Sequence, residues 1–343
     1  MAVSPPPKRV TIDDVSRLAG VSTATVSRVI NHSGTVAEET LARVRAAIEA
    51  SHYVPNSSAR VLAAGKANTI GLVVPEIGAR PLLPLLTGIE MGVEENGYHL
   101  LLYSTGQRTI TSEELLKALG PHNSDGLLLY VNSVDEDGLR QLNTLGVPVV
   151  LLHQIPPKNL QVPYVTFRNE TAVEELIDHL IEVHGCRRIA FLRGPAGHDD
   201  SLAREAGYLA SLKAHGLPVD PALIGYGGFN PRDAEKTVSA WVAVGLQFDA
   251  IFCGDDTAAF GALQAFQQAG VRVPDEVAVV GFDDIDFGYN VTPPLTTIRA
   301  DFSEAGFKAT DTLIKLIRSV KTRRRILLPT QLVVRRSCGC HPA

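Results

Sequence analysis

This sequence of 343 residues has no long apolar run. A membrane-spanning helix needs roughly 18 or more consecutive apolar residues, and no window approaches that length. The N-terminus, MAVSPPPKRV, also lacks the apolar segment and the small-residue cleavage site of a secretory signal peptide. We therefore expect a cytoplasmic protein with no membrane partner. Its 45% hydrophobic and 20% charged residues are ordinary globular values, which exclude disordered and fibrous chains.

Cysteine is scarce. The four cysteines, at 186, 253, 338 and 340, are too few for a disulfide scaffold in a chain of this length. Two of them lie in the terminal segment Cys338-Gly339-Cys340-His341, which could suggest a metal or redox site. Its spacing fits no standard zinc pattern. We interpret the segment as a reduced tail and predict neither a metal nor a cofactor.

Catalytic motifs are missing as well. The sequence contains no G-x-S-x-G, no phosphate-binding G-x-x-x-x-G-K-S/T and no H-E-x-x-H. The segment Gly225-Tyr226-Gly227-Gly228 begins a dinucleotide-binding motif, but Asn230 breaks it. We therefore do not expect an enzyme.

Charge is distributed unevenly along the chain. Residues 1–66 hold eight Lys or Arg and five Asp or Glu, although the whole chain has a net charge of −5. A small basic head on an acidic body indicates a polyanionic partner for the head. A surplus of this size also fits an ordinary solvated domain.

The head contains the pattern of a helix-turn-helix. Thr11 is a predicted helix cap with Asp14 three residues later, and Gly20 is a predicted helix end. Ser22 then caps a second helix that runs to about Asn31, and a third helix follows over about residues 37–51. Residues predicted to lie on the apolar face of the first helix are Ile12, Val15, Leu18 and Ala19.

The second helix shows small polar side chains near its start. A DNA major groove accepts a helix presented in this way. The residues so exposed are Thr23, Ala24, Thr25, Ser27 and Arg28. A plain three-helix bundle without DNA affinity is the alternative interpretation.

A linker with helical potential follows the head. Within PNSSARVLAAG, Asn56 can cap a helix and Gly65 can end it. A helix of about nine residues is marginal alone, so we expect it to form only on DNA.

The body alternates apolar strands with amphipathic helices, which predicts parallel sheets covered on both faces. About eight strands could form one large sheet or two smaller ones. The predicted strands are 70–74, 99–104, 126–131, 147–153, 188–193, 223–225, 250–253 and 277–282. The predicted helices include 83–96, 113–119, 172–184, 204–215, 232–244 and 257–269.

The wording TIDDVSRLAGVSTATVSRVIN, followed by HYVPNSSARVLAAGKANTIGLVVP, closely resembles the LacI/GalR family of bacterial transcription regulators. The resemblance extends to near residue 336. It implies a sequence-specific DNA-binding regulator, expected to be a repressor, that binds a near-palindromic operator as a homodimer and responds to a small-molecule effector. Two head positions depart from the family's wording, because Ala37 replaces the usual Ser cap and His52 replaces Gly or Asn. A tetramer is not expected, since the chain ends without a leucine heptad tail.

The implied fold is α/β, with a three-helix helix-turn-helix head and a two-lobed, doubly wound core like a type I periplasmic binding protein. The resemblance decides for two sheets rather than one. The implied domains are a head at 8–54, a hinge helix at 55–66, an effector-binding and dimerisation core at 67–336 and a tail at 337–343. Within the core, the N-lobe takes about 68–163 and 296–326, and the C-lobe about 164–292 and 327–336.

The resemblance also implies the DNA contacts. Base readers fall at Thr23, Ala24 and Arg28, and Leu62 in the hinge helix is a minor-groove wedge that kinks the duplex. Simple packing of Leu62 on the core is the alternative. The full predicted set is Thr11, Ser22, Thr23, Ala24, Thr25, Ser27, Arg28, Asn31, Tyr53, Asn56, Ala59, Leu62 and Ala63.

Four positions match the family's effector contacts: Arg204, Phe229, Asp255 and Asp283. Carboxylates accept from hydroxyl pairs, a guanidinium donates to oxygens and an aromatic face covers C–H groups, so this set suits a sugar. Three of these residues have a structural alternative: an i,i+4 pair of Arg204 with Asp200, lobe packing of Phe229, and a turn or cap role for Asp283 or, at least as readily, its neighbour Asp284.

At two cleft positions the sequence departs from the residues usual in the family. His153-Gln154 stands in place of the common Asp-Arg, and Phe167-Arg168-Asn169 in place of Val-Asp-Asn. An unusual effector is therefore expected: a carbohydrate first, with a nucleoside or purine as the alternative. A solute-binding receptor is the competing class for the body, but the head and the missing signal peptide count against it.

Overall fold

The computed structural model describes residues 10–31, 33–53, 66–285, 288 and 291–341. The predicted hinge contacts Asn56, Ala59, Leu62 and Ala63 lie outside these ranges. The chain divides into two compact units: a first unit of residues 1–69 with 119–125, and a second unit of residues 70–118 with 126–343. Among the described residues, no helix combines the length and apolar character that crossing a membrane requires.

Three helices form the head, as predicted: α1 (Ile12–Ala19), α2 (Thr23–Ile30) and α3 (Glu38–Ser51). Thr11 and Asp14 form a reciprocal capping box, in which the backbone N–H of Thr11 donates to the Asp14 carboxylate at 2.9 Å. Gly20 ends α1 in the left-handed region at φ 64°. Ser22 caps α2 by accepting from the backbone N–H of Thr25 at 3.2 Å.

A small apolar core holds these helices together. Val15, Val26 and Val44 are fully buried, one from each helix. The predicted inward position of Leu18 is wrong, because its side chain is 60% exposed. Steps of 100° per residue place Leu18 well to one side of the direction shared by Val15 and Ala19.

The N-terminus of α3 lacks a side-chain cap, since Ala37 stands at the N-cap with φ −59° and ψ 142° and offers no acceptor. We expect Ala37→Ser to stabilise α3 by about 1 kcal/mol, because a serine hydroxyl would accept from an unpaired helical N–H. Hydrogen exchange of the α3 amides in the full chain should slow about fivefold. The same change at the exposed mid-helix Ala46 is the control, and equal slowing there would contradict the cap explanation.

The second unit contains two parallel sheets, as predicted. The first-sheet strands are β1 (Thr69–Val74), β2 (His99–Ser104), β3 (Gly126–Tyr130), β4 (Val149–Leu152), β5 (Tyr164–Phe167) and β11 (Arg325–Leu328). The second-sheet strands are β6 (Ile189–Arg193), β7 (Ile224–Tyr226), β8 (Ala250–Cys253) and β9 (Ala278–Val280). The first sheet has the order β11-β5-β4-β3-β1-β2, and the second sheet has the order β7-β6-β8-β9.

Helices and a small antiparallel pair complete the unit. The pair is β10 (Thr297–Ala300) with β12 (Thr330–Val333). The helices are α4 (Leu82–Asn96), α5 (Ser112–Leu119), α6 (Glu136–Thr144), α7 (Asn169–Glu182), α8 (Asp199–Ala214), α9 (Pro231–Ala243), α10 (Asp256–Ala269) and α11 (Phe302–Ile317). All eight predicted strands and six predicted helices are present, with ends shifted by a few residues.

The first sheet extends beyond its predicted boundary at residue 163. Strand β5 pairs in parallel with both β4 and β11, so the chain leaves this sheet after Phe167. The returning strand β11 likewise runs to Leu328, past the predicted end of the N-lobe at 326. The boundaries implied by the resemblance are therefore a few residues too early, and the sequence pattern did not predict β5 because it is short and one of its partners lies far along the chain.

Helices α4 and α11 pack with their backbones in direct contact. A Cβ atom on Gly88 would lie 1.8 Å from the carbonyl oxygen of Ser303, and one on Gly306 would lie 2.2 Å from that of Leu85. Only glycine fits at these two positions, because any side chain would push the helices apart.

Candidate functional site

A cavity of about 410 Å³ lies at the carboxyl ends of both parallel sheets. Loops after β1, β3 and β4 line one side, and loops after β6 to β9 line the other. Ligands of doubly wound sheets bind at this edge, and the volume suits a small organic molecule. The four predicted effector residues, Arg204, Phe229, Asp255 and Asp283, all line this cavity.

Arg204 is the centre of a buried hydrogen-bond network. It donates to Asn169 Oδ1 at 3.0 Å, to the Gly254 carbonyl at 2.6 Å and to Asp283 Oδ1 at 3.1 Å. The guanidinium also stacks 3.7 Å from the centre of the Phe282 ring. The side chain is therefore held in place before any ligand arrives, and its ion pair is with Asp283 at the end of the second sheet.

Asp200 has partners other than the proposed i,i+4 arginine. Its carboxylate accepts from Thr166 Oγ1 at 2.7 Å and from Asn169 Nδ2 at 2.8 Å, and it lies 2.9 Å from His153 Nδ1. Burial opposes ionisation, but attraction to His153, His198 and Arg204 outweighs it and holds the pKa of Asp200 well below its usual range. Asp200 thus stays a carboxylate that orients the side chains around it.

Two histidines that the sequence reasoning missed as ligand contacts line the cavity. His153 Nε2 and His198 Nδ1 are buried and have no hydrogen-bond partner among the described residues. A buried polar atom without a partner costs about 1–3 kcal/mol, so both atoms favour a ligand with polar groups. Burial lowers the pKa of His198 to about 4, which keeps its ring neutral near pH 7. The one sequence signal was the unusual His153 at a cleft position.

Two of the carboxyl groups that line the cavity, Asp255 and Asp283, have pKa values raised toward neutral pH. Burial raises the pKa of Asp283 to about 7 against the opposing pull of Arg204, and it raises the pKa of Asp255 to about 6. Asp255 also caps α10, accepting from the backbone N–H of Ala258 at 2.7 Å. The neighbouring Asp284 is ion-paired with Arg335 at 2.5 Å, which gives it the structural role considered for it.

Several cavity residues have unusual backbone geometry. Val131, His153, Phe229 and Asp283 have positive φ values of 39°, 56°, 53° and 110°. Side chains other than glycine rarely adopt this region, and a β-branched valine does so at a real cost. Such residues concentrate at binding sites, where the surrounding structure holds them in place.

Phe229 is half-buried at the cavity wall rather than in the core of a lobe. Its ring meets His198 edge to face at 5.2 Å between centroids. A Cβ on Gly194 would lie 2.3 Å from this ring, so glycine is required there. These contacts fix the ring of Phe229 at the cavity wall, next to the imidazole of His198.

The raised pKa of Asp283 predicts that the stability difference between Asp283→Asn and wild type depends on pH. Between about pH 4 and 7, folded wild type keeps a proton that the unfolded chain has lost, so this group's contribution falls as pH rises. Asparagine has no such proton. Relative to wild type, Asp283→Asn should therefore gain about 2 kcal/mol in unfolding free energy between pH 5.5 and pH 8.

Urea unfolding at the two pH values measures this gain. The exposed Asp275 is the matched control, and Asp275→Asn should show no comparable change. A pH-independent difference between Asp283→Asn and wild type would contradict the burial of an ionisable carboxyl group at this position.

The head presents the three predicted base readers on one exposed surface. Thr23, Ala24 and Arg28 are all exposed on α2. The other predicted contacts have partners within the head: Thr11 and Ser22 are caps, Ser22 Oγ is 2.9 Å from Thr25 Oγ1, Asn31 Nδ2 donates to Ser27 Oγ at 3.2 Å, and Tyr53 packs on the head core. Their DNA contacts stay predictions.

A helix-turn-helix head, and two parallel α/β lobes around a cavity that holds Arg204, Asp255 and Asp283, define a DNA-binding regulator with an effector-binding domain. Residues 11–56 match the model of the bacterial regulatory proteins of the lacI family, and residues 177–338 match a periplasmic binding protein-like domain. The chain belongs to the LacI family of transcriptional regulators.

Known relatives agree with this assignment. The ribose operon repressor of Escherichia coli is 32% identical over 330 residues, which cover 95% of this chain and 98% of that protein. A structure of the transcriptional regulator CelR in complex with cellobiose has a TM-score of 0.73 and 32% identity over 96% of this chain and 100% of its own. The lac repressor dimer bound to operator and the anti-inducer ONPF has a TM-score of 0.83 and 26% identity over 96% and 99%. The relatives are regulators and not enzymes.

Proposed function

We propose that the protein represses transcription by binding a near-palindromic operator as a dimer, and that a small carbohydrate in the cavity controls its operator affinity. The observation that carries the proposal is the pair Arg204 and Asp283, fixed at the cavity beside two unpartnered histidine nitrogens. A protein that binds the bacterial chromosome in this way acts in the cytoplasm.

The chemistry of the cavity favours a ligand rich in hydroxyl groups. A sugar hydroxyl both donates and accepts, so adjacent hydroxyls can serve a carboxylate such as Asp283 and a neutral histidine such as His198 together. The ring of Phe229 offers an apolar surface for the C–H face of a pyranose or furanose. CelR was solved with cellobiose, which supports a carbohydrate for this chain as well.

Control of DNA binding requires that the ligand distinguishes two states of the core. A ligand that contacts loops of both sheets favours the closed cavity, and this differential affinity sets the limit of the response. Coupling of 1–3 kcal/mol, about 5-fold to 150-fold in operator affinity, is typical. The hinge helix predicted from the sequence over residues 56–64, outside the described residues, is the element proposed to respond through its helix–coil balance.

A two-stage experiment tests the proposal. Sugars, including ribose and cellobiose, and nucleosides are screened by thermal shift, since a tight ligand raises the melting temperature by mass action. Operator fragments are then titrated with and without the best ligand. We expect a sugar that changes operator affinity at least fivefold. A screen in which only nucleosides or purines shift the melting temperature would overturn the carbohydrate assignment.

Two variants separate the halves of the mechanism. Asp283→Ala should keep operator binding and lose the ligand response, whereas Leu62→Ala should weaken operator binding and keep ligand affinity. A ligand response of Asp283→Ala at the original concentration would show that the cavity assignment is wrong. One helix-turn-helix contacts too little DNA for selective binding, so we expect the free protein to be a dimer. Sedimentation measures this, and a monomer at micromolar concentration that still binds a palindrome tightly would contradict it.

A further inference from the structure

The fold brings together two pairs of potential metal-binding side chains that lie far apart in the sequence. His179 and His184 come from the end of α7 and the loop after it, and Cys338 and Cys340 come from the terminal tail. One ligand atom from each residue lies within 4.8 Å of every other. The tail cysteines alone match no zinc spacing, but two histidines complete the set.

The distances match the edges of a tetrahedral site. Cys340 Sγ lies 3.3 Å from His184 Nε2 and 3.8 Å from His179 Nε2, and Cys338 Sγ lies 3.7 Å from His179 Nε2. Zinc–sulfur and zinc–nitrogen bonds of about 2.3 and 2.0 Å at tetrahedral angles separate S from N by about 3.5 Å. A single ion at the centre can therefore reach all four atoms with small adjustments.

The tail is held in position by contacts outside the cluster. The backbone N–H of Val279 donates to the Ser337 carbonyl at 2.9 Å, and the Ser337 hydroxyl donates to the Val279 carbonyl at 2.5 Å. Gly339 then turns the chain at φ 103°, where a Cβ would lie 3.3 Å from His184 Nδ1. Glycine at this position lets both thiols face the same two imidazoles.

A hydroxyl group next to the cluster favours a thiolate. Thr296 Oγ1 accepts from the backbone N–H of Arg335 at 2.8 Å and lies 3.1 Å from Cys338 Sγ. Because the Arg335 N–H occupies a lone pair of this oxygen, the hydroxyl proton is free to donate to the sulfur. Hydrogen bonds of this kind commonly support the ligands of a metal site.

We propose that His179, His184, Cys338 and Cys340 bind one Zn²⁺ ion in a closed, four-coordinate site that fastens the tail to the end of α7. Two thiolates and two imidazoles are a frequent set for structural zinc, and no position is left open for catalysis. On binding, Zn²⁺ replaces the two thiol protons, which pass to solvent. Only residues 334–336 separate the tail from β12, so the ion also anchors the end of that strand.

Metal analysis of the full-length protein tests the site. The protein is reduced, stripped with a chelator, exchanged into chelator-free buffer and titrated with ZnCl₂ or CoCl₂. We expect one ion per chain, the visible absorption of tetrahedral cobalt–thiolate ligation, and a melting temperature raised by about 5 °C at a hundredfold excess over Kd. Wild type that binds no zinc and shows no shift would overturn the proposal.

Matched variants locate the ion. Cys340→Ser and His184→Ala should each weaken zinc binding at least about tenfold and lose the shift in melting temperature. Cys253→Ala and His341→Ala remove a thiol and an imidazole outside the cluster and should retain both. Circular dichroism checks that each variant folds. If either cluster variant does not fold, His184→Gln is tested in its place. Equal zinc affinity of the cluster variants and wild type, or a Cys338–Cys340 disulfide that persists under reductant, would contradict the site.

Discussion

Replacement of Arg204 by alanine is expected to destabilise the second unit by about 3–5 kcal/mol at pH 8. The Arg204 side chain is 4% exposed, and it is the ionic partner of the buried Asp283. Its removal leaves a buried carboxylate without a counter-charge and leaves the Gly254 carbonyl without its 2.6 Å donor. The loss should be smaller at pH 6, because Asp283 then holds a proton.

Urea unfolding followed by the fluorescence of Trp241, the single tryptophan, measures this loss. Trp241 lies in α9 beside the second sheet and reports on the unit that contains the cavity. Arg193→Ala is the matched control, because Arg193 pairs with Glu205 near the surface, where such pairs contribute at most about 1 kcal/mol. Similar losses in both variants would contradict the central role assigned to Arg204.

Arg28→Ala is expected to weaken operator binding by about 1–3 kcal/mol, or 5-fold to 150-fold, with a much smaller effect on random DNA. Arg28 is exposed on α2 beside Thr23 and Ala24. Ala24 offers no side-chain hydrogen bond to a base, so the arginine carries a larger share of base recognition. Bidentate contact of arginine with guanine is the commonest specific contact in the major groove.

An operator selected from random DNA, titrated by fluorescence anisotropy beside a scrambled duplex, gives the comparison. Arg43, exposed on α3, provides the control. Arg43→Ala would remove at most a contact to a phosphate, so its loss of affinity should be about the same for the operator and the scrambled duplex. If Arg28→Ala also loses affinity equally on both, Arg28 contacts phosphate rather than bases.

The sequence predicted elements whose signals are local. Caps at Thr11 and Ser22 and the helix end at Gly20 depend on chemistry within a few residues, and all three are confirmed. The four-residue strands β5 and β11 were missed, since each depends on a partner strand far along the chain. Leu18 was placed wrongly because an apolar residue near a helical face is not required to lie on it.

The site was predicted as far as family resemblance reached. It placed Arg204 and Asp283 at one cavity, where the structure joins them by an ion pair. The unpartnered nitrogens of His153 and His198 could not be predicted, because burial and missing partners are properties of the folded chain. The metal-binding cluster was missed for the same reason, since 159 residues separate His179 from Cys338.

The glycine contacts between α4 and α11 have a mechanical consequence. With backbone against backbone at Gly88 and Gly306, no layer of side chains can rearrange, so the two helices behave as one stiff body. Pro81, just before α4, and Phe302, the first residue of α11, both line the cavity, so a ligand that displaces either helix carries the other with it. Any movement of one sheet relative to the other must then come from bending of the segments that link the two sheets. Stiffening or loosening those segments would change the size of the response without altering any group that contacts the ligand.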